Sequence, residues 1–195
     1  MDVSASLIGL TGNKDKGIEY LQEAAKAGGE ASLDAKAVLI LFLRREHRYT
    51  ESMQIVRELL ASHPQNSLLA LEEANLLRAM GNVPESAAAY RHILQRGREG
   101  HYPAQHYETA AISLGDLLRS QKDFQAAASA YEQMNEVAQP EPELKQRAFL
   151  AAGQMYDLLR NRDLAVKRYE QVIAVNGGNE SADKARRLMK EAYRE

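Results

Sequence analysis

The sequence has no cysteine and no tryptophan, and only five prolines and three phenylalanines. Without cysteine the chain can form no disulfide bond and use no thiolate chemistry, and the redox state of its compartment stays open. Long apolar runs are also missing. The longest, Ala37 to Leu43, lies between Lys36 and Arg44 and is far shorter than the roughly 18–20 residues that span a bilayer. We therefore expect no membrane insertion.

No excess of charge of one sign is present, because 25 basic residues face 27 acidic ones and the formal net charge is -2. This balance, with no basic block, argues against nucleic acid or anionic lipid as a partner. The first residues, MDVSASLIGLTG, lack the basic leader and the longer apolar segment of a signal peptide. The localisation stays unknown at this stage.

No group of residues has the spacing of a catalytic, metal or cofactor site. His101 and His106 lie on either side of Pro103 and do not match the i, i+4 pair of a helical metal site. Gly28-Gly29 and Gly177-Gly178 lack the residues of a phosphate-binding loop and lie where helices are expected to end. We predict no catalytic residue, no metal and no cofactor, and hence a protein that is not an enzyme.

What the sequence does contain is helix-favouring residues in a repeating pattern. Alanine, leucine, glutamate, glutamine and arginine dominate between short Gly, Asn, Asp and Pro stretches, and no segment alternates with period two. The residues that begin successive second helices recur after 34 and then 41 positions: Tyr49, Val83 and Phe124. Gly115 and Gly153 are 38 positions apart, as are Tyr131 and Tyr169. The sequence therefore predicts an all-α repeat protein.

These residues resemble the tetratricopeptide repeat (TPR) family, whose consensus has Leu-Gly and then Tyr in a first helix and Ala, an aromatic residue and Ala in a second. The third and fourth helix pairs match at Leu114, Gly115, Leu118, Phe124, Ala127, Tyr131, Gly153, Tyr156, Ala165 and Tyr169. In the first two pairs Ile40 and Ala74 replace the glycine, and Ser52 and Ser86 replace the alanine. Only Pro64 ends a repeat as the family prefers.

The resemblance implies a TPR-like right-handed superhelix of antiparallel helix pairs, closed by a C-terminal capping helix. We expect a single array over residues 1–195. Its predicted segments are a partial repeat at 1–29, repeats at 30–64, 65–102, 103–141 and 142–176, and the capping helix at 179–194. Such a cap is expected because the last repeat of an array otherwise leaves an apolar face in water.

The partial repeat at the start of the sequence contributes two further expectations. Leu7, Ile8 and Leu10 are interpreted as the last turn of its first helix, so we expect the chain to be a fragment or to begin with a truncated cap. The block GLTGNKDKG, Gly9 to Gly17, also resembles a segment of eukaryotic TPR proteins linked to inclusion-body clearance and lipid homeostasis.

Small and aromatic residues of the repeat are expected to form its core. We predict that Gly115 and Gly153 let paired helices approach, while Tyr131 and Tyr169 fill the gap between neighbouring repeats. A cofactor role for these tyrosines is disfavoured, because aromatic residues that recur at helical spacing usually form a core.

The triplet Leu-Leu-Arg occurs three times before a polar turn, at 76–78, 117–119 and 158–160. In the repeat register, one slot of the first helix holds Leu43, Leu77, Leu118 and Tyr156, which we expect to face the paired helix. The next slot holds Arg44, Arg78, Arg119 and Asp157. Arg160 belongs to the turn, so the third triplet is not equivalent to the other two.

Two interpretations of these arginines stay open. Arginines near a helix C-terminus can simply complement the helix dipole and keep the surface hydrated. Alternatively, since this part of the first helix borders the concave groove of the family, Arg44, Arg78 and Arg119 form a ladder beside Asn75 and Asp116. Such a ladder would bind the carboxylates of an acidic peptide through forked hydrogen bonds.

The rest of the predicted groove is mixed in character. The family's carboxylate clamp for chaperone tails needs Lys and Asn at first-helix positions, and here only Asn75 fits, so we do not expect that ligand. Apolar Leu41, Leu71 and Ile112 are predicted to add hydrophobic contacts to the same groove.

We therefore predict a protein–protein interaction scaffold that binds a peptide or a partner protein in its concave groove. The alternative is a structural spacer or self-association module within a larger multidomain protein, with the groove filled by a terminal helix or a second copy. Neither the partner nor the oligomeric state follows from the residues.

Overall fold

The computed structural model describes residues 14–102 and 107–195, and the chain divides into two compact units, residues 1–62 and 63–195. The first unit contains three helices: α1 (Lys14–Lys26), α2 (Glu30–Arg45) and α3 (Tyr49–Ser62). The predicted helical turn at Leu7, Ile8 and Leu10, and most of the block Gly9 to Gly17, lie outside the described residues.

The second unit contains seven α-helices among its described residues. They are α4 (Ser67–Ala79), α5 (Val83–Arg98), α6 (Thr109–Ser120), α7 (Phe124–Glu132), α8 (Pro142–Leu158), α9 (Arg162–Val175) and α10 (Glu180–Lys190). No residue of 14–102 or 107–195 lies in a β-strand, which confirms the all-α prediction. In the same two ranges no helix has the length and apolarity that crossing a membrane requires.

Helices pack in sequence order within each unit. In the first unit α2 packs against α1 and α3, around a core of Ile18, Leu39 and Leu43. In the second unit each helix from α4 to α10 packs against the next, and α4, α6 and α8 also contact one another in turn. We call the face formed by α4, α6 and α8 the first-helix surface. The pairs α2–α3, α4–α5, α6–α7 and α8–α9 fall within 30–64, 65–102, 103–141 and 142–176, which we propose as the repeats.

Each consensus glycine of the second unit lies against a tyrosine ring. A Cβ atom added to Gly115 would lie 2.3 Å from Cε1 of Tyr131, and one added to Gly153 would lie 2.5 Å from Cε1 of Tyr169. Both tyrosines are fully buried. The prediction that small residues allow close helix packing is confirmed, and each tyrosine contacts the glycine of its own helix pair.

Buried serines replace the consensus alanine in the earlier pairs without leaving an unpaired hydroxyl. Ser52 Oγ donates to the carbonyl oxygen of Ile40 at 3.2 Å, and Ser86 Oγ donates to that of Ala74 at 2.9 Å. In both pairs the acceptor is the residue at the consensus glycine position. An unpaired buried hydroxyl would be costly, so these hydrogen bonds make serine acceptable between the two helices.

The four turns inside the helix pairs share one backbone motif. One residue in each turn has a left-handed φ: His47 (59°), Gly81 (82°), Lys122 (60°) and Arg160 (57°). Its N–H and the following N–H donate to two carbonyls near the end of the first helix, the pattern of a Schellman motif. Those carbonyls belong to the Leu and Arg slots of the predicted register, including Tyr156 and Asp157. The register is confirmed, and Arg160 lies in the turn as predicted.

The last helix is shorter than the predicted 179–194, because α10 ends at Lys190. Nη2 of Arg162 donates to the carbonyl oxygens of Leu188 and Met189, both at 2.7 Å. A guanidinium that satisfies the last carbonyls of a helix stabilises its C-terminus at that point. The prediction of helix up to Arg194 is wrong for this reason, and residues 191–195 continue without helical structure.

The glycine–tyrosine contact predicts the effect of one added methyl group. We expect Gly115→Ala to lower the free energy of unfolding by about 1–3 kcal/mol, because the new Cβ overlaps the buried ring of Tyr131. Gly17→Ala, in an open position on α1, is the matched control and should cost nothing. Urea denaturation followed by circular dichroism measures both, and equal midpoints for the two variants would contradict the contact.

The shared turn predicts opposite effects at equivalent positions. Gly81→Ala should lower the free energy of unfolding by about 1 kcal/mol, since a left-handed φ is strained for any residue with a Cβ. Arg160→Gly should raise it by a similar amount because it removes that strain from an exposed turn residue. The same denaturation experiment checks both signs, and a loss of stability in Arg160→Gly would refute the explanation.

Candidate functional site

The predicted site residues fall into two groups because they belong to different units. Asn75 and Arg78 lie on α4, and Asp116 and Arg119 lie on α6, so all four belong to the second unit. Leu41 and Arg44 lie on α2 of the first unit and are described with it. The candidate site therefore consists of residues of the second unit alone.

The equivalent second-helix tyrosines of the three helix pairs in this unit each donate a hydrogen bond to a first-helix side chain. The pairs are Tyr90 Oη to Asn75 Oδ1 at 2.6 Å, Tyr131 Oη to Asp116 Oδ1 at 2.7 Å, and Tyr169 Oη to Asp157 Oδ2 at 2.7 Å. Asp157, the acceptor in the last pair, occupies the register position of Arg119. Asn75 and Asp116 lie three residues before that position, almost one helical turn earlier on their own helices. The buried rings thus hold Asn75, Asp116 and Asp157 in fixed positions on the first-helix surface.

The same environment disfavours ionisation of these phenols. Burial raises the pKa of Tyr131 and of Tyr169 well above the ordinary tyrosine value, and the carboxylate that each phenol contacts raises it further. Burial also raises the pKa of Tyr90, whose acceptor is a neutral amide. A neutral phenol remains a hydrogen-bond donor, so these three contacts persist at neutral pH.

Three cationic side chains, those of Arg78, Arg119 and Lys122, line one cavity together with Asp116. A cavity of about 450 Å³ is lined by Arg78, Asp116, Arg119, Ser120, Lys122 and Glu195. The Asp116 carboxylate in this cavity is already shared, because its Oδ2 accepts a hydrogen bond from Nη2 of Arg147 at 2.8 Å. The helices and the turn that build the cavity therefore supply more positive than negative charge, which favours an anionic group inside it.

Arg119 is engaged by residues 191–195 of the same chain. Its Nη2 donates to Tyr193 Oη at 2.7 Å, and its Nε and Nη2 donate to Glu195 Oε1 at 3.2 and 3.0 Å. The guanidinium carbon also lies 5.6 Å from the centroid of the Tyr193 ring, within the range of a cation–π contact. Arg119 thus binds one aromatic ring and one carboxylate together.

Asp157 forms a second contact with the same segment. Its side chain is fully buried and accepts from Nη1 of Arg162, from the Tyr169 phenol, and from the backbone N–H of Tyr193 at 2.8 Å. These donors satisfy the hydrogen-bonding capacity of a side chain that has no access to water. Asp157 therefore ties α9 and residues 191–195 to the first-helix surface.

Two predicted groove residues are buried in the core instead. Leu71 is 6% exposed and Ile112 is 2% exposed, so neither can contact a ligand on the surface. Both belong to the hydrophobic core of the second unit. In the first unit, by contrast, Leu41 is 54% exposed, and Arg44 is half-buried on the same helix.

Several residues of the cavity and its surroundings were not predicted. Lys122 could have been found, because the repeat register places it in the turn directly after Arg119. Arg147 is 31 residues from Asp116 and follows no local pattern that indicates their ion pair. Tyr193 was assigned to the capping helix at 179–194, and Glu195 lies just after that range, so neither contact with Arg119 was expected.

The described residues offer no metal site. Within 14–102 and 107–195, no group of three or more His, Cys, Asp or Glu side chains is arranged to hold a metal ion. His106 of the candidate pair lies outside the described residues, so the pair itself is not described.

A second cavity, of about 580 Å³, lies in the first unit between α1, α2 and α3. Its lining mixes apolar side chains such as Leu39 and Ile55 with charged ones such as Lys36 and Glu58, which form an ion pair at 2.5 Å. The described lining includes neither Leu41 nor Arg44. This cavity therefore does not belong to the predicted groove.

Comparison with known proteins identifies the repeat. Residues 71–139 match the family model described as tetratricopeptide repeat. That segment contains Asn75, Arg78, Asp116 and Arg119, so these four residues lie within recognised repeat sequence. No curated protein sequence matches the chain.

Solved structures share the fold at low sequence identity. A TPR protein from Parabacteroides merdae ATCC 43184 is 17% identical with a TM-score of 0.59, over 92% of this chain and 68% of that one. BtubC from P. vanneervenii is 14% identical with a TM-score of 0.61, over 90% of this chain and 78% of that one. YrrB, described as a TPR protein with an unusual peptide-binding site, is 18% identical with a TM-score of 0.54, over 94% and 89%.

Identities this low establish the fold and nothing about the ligand. The evidence for the repeat comes from three directions: the spacing of Gly115 and Tyr131, their contact in the structure, and the match over residues 71–139. Residues 71–139 are therefore tetratricopeptide repeat sequence, in a chain that shares the fold of known TPR structures.

Proposed function

We propose that this protein is an interaction scaffold that binds an extended acidic segment of a partner protein at the first-helix surface of its second unit. The main observation in support of this proposal is the cavity lined by Arg78, Arg119 and Lys122, in which Arg119 donates hydrogen bonds to the carboxylate of Glu195. A site that binds one glutamate of its own chain has the chemistry to bind a glutamate or aspartate of another.

The geometry of Arg119 suits carboxylates in particular. Two of its nitrogens donate to the same oxygen of Glu195, and a guanidinium presents its donors in a planar fork that a lysine cannot reproduce. A partly exposed ion pair of this kind contributes about 0.2–1 kcal/mol, so binding depends on several such contacts together. Arg78, which is exposed on the same cavity, would add a second cation for a ligand with two acidic side chains.

The match to the TPR family supports a role as an interaction scaffold. TPR proteins form a repeat family of non-enzymatic scaffolds that mediate protein interactions, and this chain contains the repeat. YrrB, described as a TPR protein with an unusual peptide-binding site, is an example of this fold with a peptide-binding site. Arg44 occupies the equivalent slot in the first unit, and we propose it as a cationic binding position of that unit, to be tested separately.

The position of the arginines also fits the simpler interpretation. Arg78 and Arg119 lie in the last turns of α4 and α6, where they complement the helix dipole. That interpretation gives them a role in stability and none in binding. An experiment that measures both stability and peptide affinity therefore distinguishes the two roles.

Self-association is the second candidate, favoured by exposed apolar side chains in the first unit. Tyr20 is 68% exposed, and Leu33, Leu41 and Phe42 of α2 are 42–54% exposed. Sedimentation velocity over a range of concentrations distinguishes the two functions. A dimer that forms in the micromolar range and is abolished by Phe42→Ser would support self-association through this face.

The binding proposal predicts a large effect of the two arginines of the cavity. The probe is a fluorescein-labelled octapeptide with four glutamates, compared with the same peptide carrying glutamines. In fluorescence anisotropy the full chain should prefer the acidic probe, and the double variant Arg78→Ala/Arg119→Ala should bind it at least about tenfold more weakly. Affinity should also fall with added salt, since the attraction is electrostatic.

Arg91→Ala is the matched control, because Arg91 is an exposed arginine on α5, outside the first-helix surface. It should leave the affinity unchanged. Thermal denaturation of all variants shows whether they remain folded. Equal binding of the acidic and neutral probes, or unchanged affinity in a folded double variant, would refute the proposal.

A further inference from the structure

Residues 191–195 have no helical structure and contact the first-helix surface. Glu191 has φ -133° and ψ 121°, so the chain leaves the helical conformation directly after α10. From there the backbone N–H of Tyr193 reaches Asp157 on α8, and the side chains of Tyr193 and Glu195 reach Arg119 on α6. This segment therefore spans two first helices, as an extended peptide ligand of this surface would.

One contact of residues 191–195 uses the backbone and is independent of the side chain, and two contacts use particular side chains. The hydrogen bond from the Tyr193 N–H to Asp157 uses the backbone, so any residue except proline could make it. The contacts with Arg119 use an aromatic ring and a carboxylate two residues apart. In an extended chain, residues i and i+2 point to the same side, so this spacing lets one guanidinium bind both.

The anchor of the segment does not depend on Arg119. Arg162 holds the end of α10 through the carbonyls of Leu188 and Met189, and it also pairs with Asp157 at 2.8 Å. Beyond this anchor the contacts are accessible to solvent, since Glu195 is exposed and Tyr193 is only half-buried. Exposed ion pairs contribute little to stability, so residues 193–195 can be displaced while α10 stays in place.

We infer that residues 191–195 act as an internal ligand of this surface, and that the partner segment which displaces them has an aromatic residue two positions before a carboxylate. This inference rests on the proposed function and gives it a sequence preference. The aromatic ring stacks on the Arg119 guanidinium, the carboxylate accepts from its Nε and Nη2, and the backbone N–H of the aromatic residue donates to Asp157. Because the internal segment competes at high local concentration, it reduces the apparent affinity for any partner.

The test uses the full chain and a labelled copy of the segment. The probe is fluorescein-Glu-Ala-Tyr-Arg-Glu with an amidated end, so that no C-terminal carboxylate competes with its glutamate side chains. The double variant Tyr193→Ala/Glu195→Gln should bind this probe about tenfold more tightly than the unchanged chain, as expected if the internal segment fills the site about nine-tenths of the time. Glu191→Gln and Arg194→Ala are matched controls in the same segment and should not change the affinity.

Two probe variants test the sequence preference. Replacing the probe tyrosine by alanine, or its last glutamate by glutamine, should weaken binding to the double variant about tenfold, and replacing the probe arginine should have no effect. A chain ending at Lys190 retains the α10 carbonyls that Arg162 caps and should bind the probe as the double variant does. Its thermal denaturation curve shows that it is folded.

The outcomes separate this inference from the proposed function. If the acidic octapeptide binds but the double variant gains no affinity for the probe, residues 191–195 are not a competitor and the inference is wrong while the proposed function stands. If the gain occurs but the alanine probe binds equally well, the aromatic preference is wrong. If no probe binds any folded variant, both the inference and the proposed function fail.

Discussion

The packing of α6 on α7 and of α8 on α9 depends on a tyrosine ring that lies where the facing helix has a glycine and hence no side chain. The rings of Tyr131 and Tyr169 occupy the space that a Cβ on Gly115 or Gly153 would need, so the two helices of a pair can approach closely only with these residues. The same rings place their hydroxyls beside Asp116 and Asp157, since a buried phenol requires an acceptor. One packing requirement thus fixes both the spacing of the helices and the polar groups of the first-helix surface.

The position of the arginines follows from this arrangement. Arg119 lies three residues after Asp116, hence almost one helical turn along the same face. The Schellman turn then begins at the carbonyls of Leu118 and Arg119 and places Lys122 beside the cavity. Asp116, Arg119 and Lys122 of the cavity therefore come from consecutive parts of one repeat, while Arg78 comes from the preceding helix pair. Residues 191–195, held by Arg119 and Asp157, show which chemistry this surface accepts.

Sequence periodicity was sufficient for the fold, because glycine and tyrosine at fixed separations have few other packing solutions. It also identified the Leu and Arg slots correctly, since the turn that follows them is the same in all four pairs. It failed for Leu71 and Ile112, which were predicted to line the groove but are buried in the core. A first helix packs against its partner and against the next first helix. The sequence pattern marks its apolar residues but does not distinguish those of the core from those of the groove. Nor could it find the contact of Arg119 with Tyr193, which joins residues 74 positions apart and depends on where α10 ends.

The most direct test of this account is the ionisation of Tyr131. Burial and the adjacent carboxylate raise its pKa in the folded chain above the unfolded value of about 10, so its contribution to stability is complete below that pH and is lost as the pH rises above it. Spectrophotometric titration of the unchanged chain and of Tyr131→Phe compares the tyrosinate formed in each. We expect the two curves to coincide while the protein is folded and to differ by one tyrosine after unfolding in urea. A difference of one tyrosine near pH 10 in the folded chains would contradict the account, because it would mean that Tyr131 is accessible to solvent.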